Sequence, residues 1–469
     1  MNCVLYKKNI PILLFIQDAE KNITSIPKVF NALHMPPHLF LNGEANAQNE
    51  YALCQKLEDF FNNRIIPYTR RSFKDMLTEL EISSAEELAE KSFYLSLSDQ
   101  YWVCPAEDMG KLWWDDINFF TNEYDSAIGL RLINNSKSLN KNSNSFSPDN
   151  TTNGELPKRW VRKDGINYLE KAGTGTEQQE PLNEVLAAEI CRRLKIAHIP
   201  YTLEIRDEQY FCLCADIATP SIEMVPMDSI YKDIPLLEGG KYDYAKLIER
   251  CNFLGIPNAE KDLLKIILLD FIIANEDRHS FNISFLRNSD TLEWLGVAPV
   301  YDSGKSMFIG RLDFEIEMTS SFRIPSKPFE ETQHKQFDIL PMELIADDID
   351  FSKLDGITDW YKNFLAPLRR LPAEKKTALV KALDERIKEA RTLLAEKAKF
   401  TQADKNLLKI PVSILVFHEL CKNPHLTKEE LSKETGTSRA TVTRALQKLV
   451  AENKIRRVGA NKNGYWEIL

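Results

Sequence analysis

The spacing of apolar and polar positions changes period several times along the chain, and each change marks a predicted element. Residues 10–16 are an apolar run behind Lys7 and Lys8, interrupted by Pro11 and followed by no small-residue cleavage site. They read as a strand rather than a secretion signal. Helical spacing at 75–80 and 85–91 makes residues 1–133 a small N-terminal α+β region. Residues 134–153, NNSKSLNKNSNSFSPDNTTN, are rich in Asn and Ser. They are expected to form a loop or linker that packs no core. Next, 160–162 and 168–170 flank Lys163-Asp164-Gly165, a hairpin signature. Residues 181–193 read as a helix with Val185, Leu186, Ala188 and Ile190 as its apolar positions, and 201–205 and 210–214 as a second strand pair.

Beyond residue 230 the pattern turns helical. Residues 261–274 are apolar on most sides and predict a buried helix, followed by short strands at 283–286 and 292–295. Residues 374–398 are an amphipathic, charge-rich helix, and the polar stretch 399–406 is read as a hinge. The remainder reads almost without gaps. An apolar helix covers 412–421, and Thr427 caps a second helix with Glu430 at the capping-box position. Gly436 ends that helix. A third covers 438–452 with Val442, Leu446, Leu449 and Val450 inward, and 454–458 and 465–468 form a hairpin. Helix, turn, helix and hairpin make a winged helix-turn-helix at 405–469. The fold class is therefore α+β: a small β-rich lobe at 154–230, a larger helical lobe at 231–398, and a C-terminal winged-helix domain.

Composition narrows the class without fixing the function. The 469 residues are 43% hydrophobic and 28% charged, within the globular range. The longest apolar stretch, 266–274, contains Asp270 and is far short of a membrane span. Eight cysteines are scattered without a CxxC pair, which fits a reducing cytoplasm and argues against a zinc site or disulfide framework. Net charge is −9, but 401–469 carry 12 Lys and Arg against 7 Asp and Glu, a net of +5 that leaves −14 for the rest. A basic C-terminal domain on an acidic body points to a DNA partner for that domain alone. Ser438, Arg439, Thr441 and Arg444 at the start of the third helix suit phosphates and base edges, and Arg456, Arg457 and Lys462 on the wing suit the flanking backbone.

Candidate chemistry concentrates in the two central lobes. Asn275-Glu-Asp-Arg-His-Ser-Phe-Asn282 ends the buried helix in a polar turn that places Asp277 and Asn282 five residues apart. Asp302 follows a hydrophobic strand twenty residues on. Phosphoryl transfer needs such a set: a carboxylate to orient the attacking hydroxyl, and an amide oxygen plus a second carboxylate for Mg2+. Upstream, Gly154-Glu-Leu-Pro-Lys158 is a Gly-initiated turn with a basic end before a strand, open between plain loop and phosphate cradle. Lys171 ends a strand ahead of a helix carrying Glu184, the arrangement of the kinase Lys–Glu pair. Glu189 is the reserve acid and Lys163, in its turn, the competing lysine. Gly304-Lys305-Ser306 mimics the end of a Walker A loop, but Pro299 stands at the first glycine. His279 reads as a buttress of its loop rather than a base.

DRHxxN at 277–282 followed by YDSG at 301–304 resembles the HipA family of serine/threonine kinases, the toxin kinases of bacterial toxin–antitoxin systems. LPKRWVR (156–162), EPLNEV (180–185) and APVYDSG (298–304) are similar to a HipA-like subgroup. The resemblance implies a two-lobed HipA/kinase-like fold using ATP and Mg2+, a protein substrate, no membrane, and a possible antitoxin partner. It implies Asp277 as base, Asn282 and Asp302 as metal ligands, Lys171 at the ATP phosphates and the Gly154–Lys158 turn as phosphate loop. Family members autophosphorylate a hydroxyl just before that loop; the equivalents here are Thr151 and Thr152, with Ser145 and Ser147 nearby. The alternative is a DNA-binding transcriptional regulator whose kinase-like body is a degenerate sensor. DRHxxN also occurs in phosphatidylinositol kinases, but the chain shows no polybasic membrane-binding face.

Overall fold

Period-2 alternation in the first hundred residues builds a sheet that is covered on both faces. Strands β1 (Asn2–Lys7), β2 (Ile10–Gln17), β3 (Ile23–Val29) and β4 (Tyr101–Pro105) pair antiparallel in the order β3-β2-β1-β4. Cys3 and Leu5 point to one face, against Leu57 and Phe61 of helix Glu50–Asn62. Val4 and Tyr6 point to the other, against Trp102, Trp114 and Phe119. The computed structural model describes residues 1–39, 50–70, 73–134, 146–319, 323–407, 412–435, 437–452, 454–459 and 464–469. Contacts divide the chain into two units, Met1–Thr392 and Leu393–Leu469.

Within the first unit, β5 (Lys158–Lys163), β6 (Ile166–Ala172), β7 (Thr202–Arg206) and β8 (Gln209–Ala215) form an antiparallel sheet in the order β5-β6-β8-β7. Helix Glu180–Leu194 lies on it, burying Leu182, Leu186, Ile190 and Leu194 at near-helical spacing. Strand β9 (Ile222–Pro226) joins β10 (Ser284–Asn288) and β11 (Trp294–Val297) in a second small sheet. The last strand thus starts two residues later than its apolar run predicts. Glu223 of β9 is buried between Lys7 (2.9 Å) and Arg287 (2.5 Å), which ties the N-terminal sheet to this one. Helix Ala259–Ile272 is buried over most of its surface, as its apolar composition requires. Arg386, from helix Ala373–Leu407, donates to the Phe271 carbonyl at its end.

Three expectations are corrected. The Asn/Ser-rich stretch is not wholly a solvated loop. Its residues 135–145 lie outside the described residues, but Ser147, Asp149, Asn150 and Thr151 are buried in a 3-10 turn, Pro148–Thr151. Partners inside the fold replace water: Thr151 Oγ1 donates to Leu95 O (2.6 Å) and Trp160 N donates to Asp149 Oδ1 (2.8 Å). The expected hinge at 399–406 is helical, because Ala373–Leu407 runs on through it. Val450, expected inward, is 43% exposed, one position off the face carrying Val442, Leu446 and Leu449.

In the second unit, helices Val412–Lys422, Lys428–Glu434 and Arg439–Ala451 precede a hairpin of β12 (Ile455–Val458) and β13 (Tyr465–Ile468). Val416, Leu420, Leu431, Val442, Leu446, Leu449 and Ile455 make its core. Thr427 and Glu430 form the predicted capping box. Among the described residues no helix is long and apolar enough to cross a membrane.

Candidate active site

Strand register brings the two basic groups of the small lobe side by side. Lys158 of β5 pairs directly with Lys171 of β6, so both side chains leave the same face of the sheet. Lys171 is buried between two carboxylates, with Nζ 2.7 Å from Glu184 Oε1 and 2.8 Å from Asp302 Oδ1. Glu184 also accepts the Ser303 N–H through Oε2 (2.8 Å), which fixes the carboxylate against the segment carrying Asp302. Burial pulls the Lys171 ammonium down, but Asp302 and Glu184 together hold it well above the ordinary lysine value. Burial likewise raises Asp302, yet Lys171 and Lys158 keep its carboxyl well below the usual carboxylate range. Lys171 and Asp302 therefore face each other as a charged pair. Of the alternatives, Glu189 pairs with Arg192 and Arg193, and Lys163 sits at the surface 3.3 Å from Glu204.

The DRHxxN turn is braced by a buried arginine. Arg278 is buried, donates from Nε to Asp270 Oδ2 (2.9 Å), and reaches the carbonyls of Asn282 (3.0 Å) and Tyr301 (2.6 Å). It thereby joins the DRHxxN turn to the backbone just before Asp302. Asn282 Nδ2 donates to the Asp277 carbonyl (3.0 Å). His279 Nδ1 accepts the Phe281 N–H (3.2 Å), and burial lowers its pKa, so a neutral imidazole braces the turn as expected of a buttress. Asp302 takes a left-handed backbone (φ 54°), a conformation that non-glycine residues adopt at local cost. Asp277 stands partly exposed with Lys327 Nζ 2.9 Å from its Oδ1.

Gly154, Lys158, Lys171, Asp277, Asn282 and Asp302 line one cavity of about 200 Å³. It shares most of these groups with a wider one of about 500 Å³ that continues past Tyr201, Cys214 and Met224. Gly154 has φ 96°, a backbone that favours glycine, and a Cβ there would lie 2.6 Å from Lys158 Nζ, so a side chain would also push the ammonium aside. Among the described residues the Lys158 ammonium has no hydrogen-bond or ion-pair partner. Burial pushes it down to about 7; Arg70 and Lys171 add to this, and Asp302 and Glu184 oppose it.

Sequence reasoning missed the supports of this site. Arg70 is buried and donates from Nε to the Gly154 carbonyl (2.8 Å) and from Nη2 to Thr152 O. Asn183 Nδ2 grips the carbonyls of Gly304 (2.8 Å) and Ser306 (2.7 Å), and Gln179 that of Met307 (2.7 Å). No local pattern flags these residues. The candidate autophosphorylation hydroxyls are engaged: Ser147 caps its buried turn, Thr151 bonds Leu95, and half-buried Thr152 donates to Pro148 O (3.0 Å). Ser145 lies outside the described residues.

On the winged helix the predicted DNA-facing groups are spread and partly paired. Ser438 Oγ caps its helix by accepting the Thr441 N–H (3.2 Å), and Arg439 pairs with Glu429 (2.7 Å). Arg444 is exposed. Arg456 donates from Nε to Glu467 (2.9 Å), and the Arg457 guanidinium lies 5.1 Å from the Trp466 ring centre. Lys462 lies outside the described residues.

Comparison with known proteins gives three findings. Residues 414–456 match the winged helix-turn-helix DNA-binding family, so the second unit carries that motif by sequence and by structure. No curated protein matches the chain. Among solved structures the chain is similar to the Helicobacter pylori proinflammatory kinase CtkA, at 20% identity over 51% of this chain and 94% of that one, with a TM-score of 0.40. It is also similar to a chain in the Shewanella oneidensis toxin–antitoxin complex of HipA, HipB and operator DNA, at 13% identity over 83% of this chain and 99% of that one, with a TM-score of 0.47.

Proposed function

We propose that the chain is an ATP- and Mg2+-dependent serine/threonine protein kinase of HipA type with a fused DNA-binding domain. The observation that carries this reading is the Lys171–Glu184–Asp302 triad facing Asp277, Asn282 and an unpartnered Lys158 across one cavity. The donor set fits a hard cation. Asn282 spends its amide hydrogens on Asp277 O, leaving Oδ1, and Asp302 Oδ2 carries no protein hydrogen bond among the described residues. Magnesium accepts two such oxygens and completes its shell with water and phosphate. Bound there, it supplies charge neutralisation at phosphate oxygens.

The chain's own residues divide the remaining work. Lys158 and the Gly154 backbone cradle phosphate, with Arg70 holding the loop by its carbonyls. Lys171 orients the phosphates while Glu184 keeps it in place. Asp277 aligns the substrate hydroxyl and takes its proton. The deciding experiment is transfer of labelled γ-phosphate by the full-length chain with Mg2+. Nucleotide binding without transfer leaves the degenerate-sensor reading instead.

The lowered Lys158 pKa has a measurable consequence. Only the ammonium binds phosphate well, so above pH 7 ATP binding must draw a proton onto Lys158. Affinity is expected to fall toward tenfold per pH unit there and to level off below about pH 6. Titration calorimetry in buffers of different ionisation enthalpy at pH 8 should show proton uptake that Lys158→Arg removes. Equal uptake by both forms contradicts the assignment.

For the second unit, duplex DNA binding should weaken with salt at about 0.9 log units per phosphate contact. Neutralising Arg456 and Arg457 is expected to flatten that slope by roughly two units. The exposed Arg456–Glu467 pair is worth only about 0–1 kcal/mol, so it yields readily to phosphate. Arg439 and Thr441 variants should instead change sequence preference, at about 1–3 kcal/mol each. Anisotropy titrations at several salt concentrations check both, and no binding at roughly 50–200 mM salt moves the domain to a protein-docking role.

A further inference from the structure

We infer that Lys327 is an additional catalytic group: it guards the Asp277 carboxylate at rest and moves to the transferring phosphoryl group during the reaction. The inference rests on the kinase reading and deepens it. Lys327 lies 50 residues beyond Asp277, outside every motif of the site, yet its Nζ stands 2.9 Å from Asp277 Oδ1. Among the described residues that carboxylate is its hydrogen-bond and ion-pair partner, and no second acid competes for it.

Backbone and side chain of Lys327 are held very differently. The turn around it is pinned: Gln336 Nε2 donates to the Lys327 carbonyl (3.3 Å), and Tyr242 N donates to the Pro328 carbonyl (3.1 Å). Gln336 Oε1 accepts the Phe329 N–H (3.0 Å), and Ser326 N bonds Glu331 O (2.9 Å). The ion pair at the tip is open to solvent, with the lysine side chain 53% and the aspartate 39% exposed. Such a pair is screened and easily exchanged. Lys171 offers the opposite case, locked in burial between two acids. One lysine is therefore fixed, and the other is mobile on a fixed base.

A resting ammonium on Oδ1 neutralises the carboxylate and weakens it as an acceptor for a substrate hydroxyl. The exchange resolves the conflict. As the hydroxyl oxygen bonds to the γ-phosphorus, the bond to the β,γ-bridging oxygen breaks and its electron pair leaves with ADP. The hydroxyl proton passes to Asp277, and Lys327, released from it, sets its positive charge against the phosphoryl oxygens. A cation placed where charge develops acts mainly on the transition state, so its loss should fall on kcat rather than KM.

The test uses the full-length chain with labelled ATP, following autophosphorylation and transfer to dephosphorylated casein. Lys327→Met is expected to lower kcat by roughly 10–10³-fold with KM for ATP within about twofold of wild type. Lys327→Arg, which keeps the charge, should recover most of that loss. Both should melt with the wild type, since the side chain is exposed. Wild-type turnover by Lys327→Met, or a raised KM at unchanged kcat, overturns the proposal while Asp277→Asn remains inactive. A wild-type chain that transfers no phosphate, or an Asp277→Asn variant as active as wild type, overturns the kinase reading and this inference with it.

Discussion

Asp277→Asn is expected to lower phosphate transfer by roughly 10²–10⁴-fold while leaving the melting temperature unchanged. The stability half follows from exposure: Asp277 is 39% exposed, and its one ion pair among the described residues, to Lys327, is screened. The activity half follows from chemistry, because an amide neither accepts the hydroxyl proton nor orients the hydroxyl as strongly. Asp302→Asn should be at least as damaging to transfer for a different reason. It removes the proposed metal ligand and half of the Lys171 clamp, so ATP use with Mg2+ should fall together with kcat. Filter-binding assays of labelled phosphate, with melting curves alongside, separate these outcomes. Wild-type transfer by either variant would mean that the assigned base or metal ligand is wrong.

How much of this site was legible depended on the distance over which each residue is positioned. Asp277 and Asn282 are set by hydrogen bonds inside one turn, so their spacing in the sequence is their spacing in space. Lys171 was readable because a hairpin, a strand end and a following helix fix it relative to Glu184. Arg70 was not, because it meets Gly154 across 84 residues, through an N-terminal region whose pattern announces only a core. The same holds for Lys327. The Ser147–Thr151 segment failed for another reason. Composition counts Asn, Ser and Thr as solvated, whereas here buried side chains of the segment bond partners inside the fold, such as Leu95 O and Trp160 N. The helix through 399–406 shows the converse limit: a polar stretch can continue a helix that packing starts. On the winged helix the elements were legible and the arginine partners were not, since Glu429 and Glu467 reach their arginines only after folding.

Lys171→Met should be costly twice, in stability and in activity, and the two losses can be pulled apart. In the folded chain the ammonium is 7% exposed and lies between Glu184 and Asp302. Removing it leaves two carboxylates facing each other without the ammonium between them, and breaking a buried pair in this way costs about 3–5 kcal/mol. Lys163→Met is the control: its side chain is 48% exposed beside Glu204, and surface changes of that kind stay within about 0.5 kcal/mol. The double variant Lys171→Met/Glu184→Leu replaces the buried pair by apolar groups of similar volume, so it should recover part of the lost stability. It should recover none of the activity, because no charge remains to hold the phosphates. Denaturant unfolding and labelled-phosphate transfer on the four proteins give both readouts. Equal losses for Lys171→Met and Lys163→Met would remove Lys171 from the nucleotide site. Recovery of transfer in the double variant would show that the pair serves only the fold.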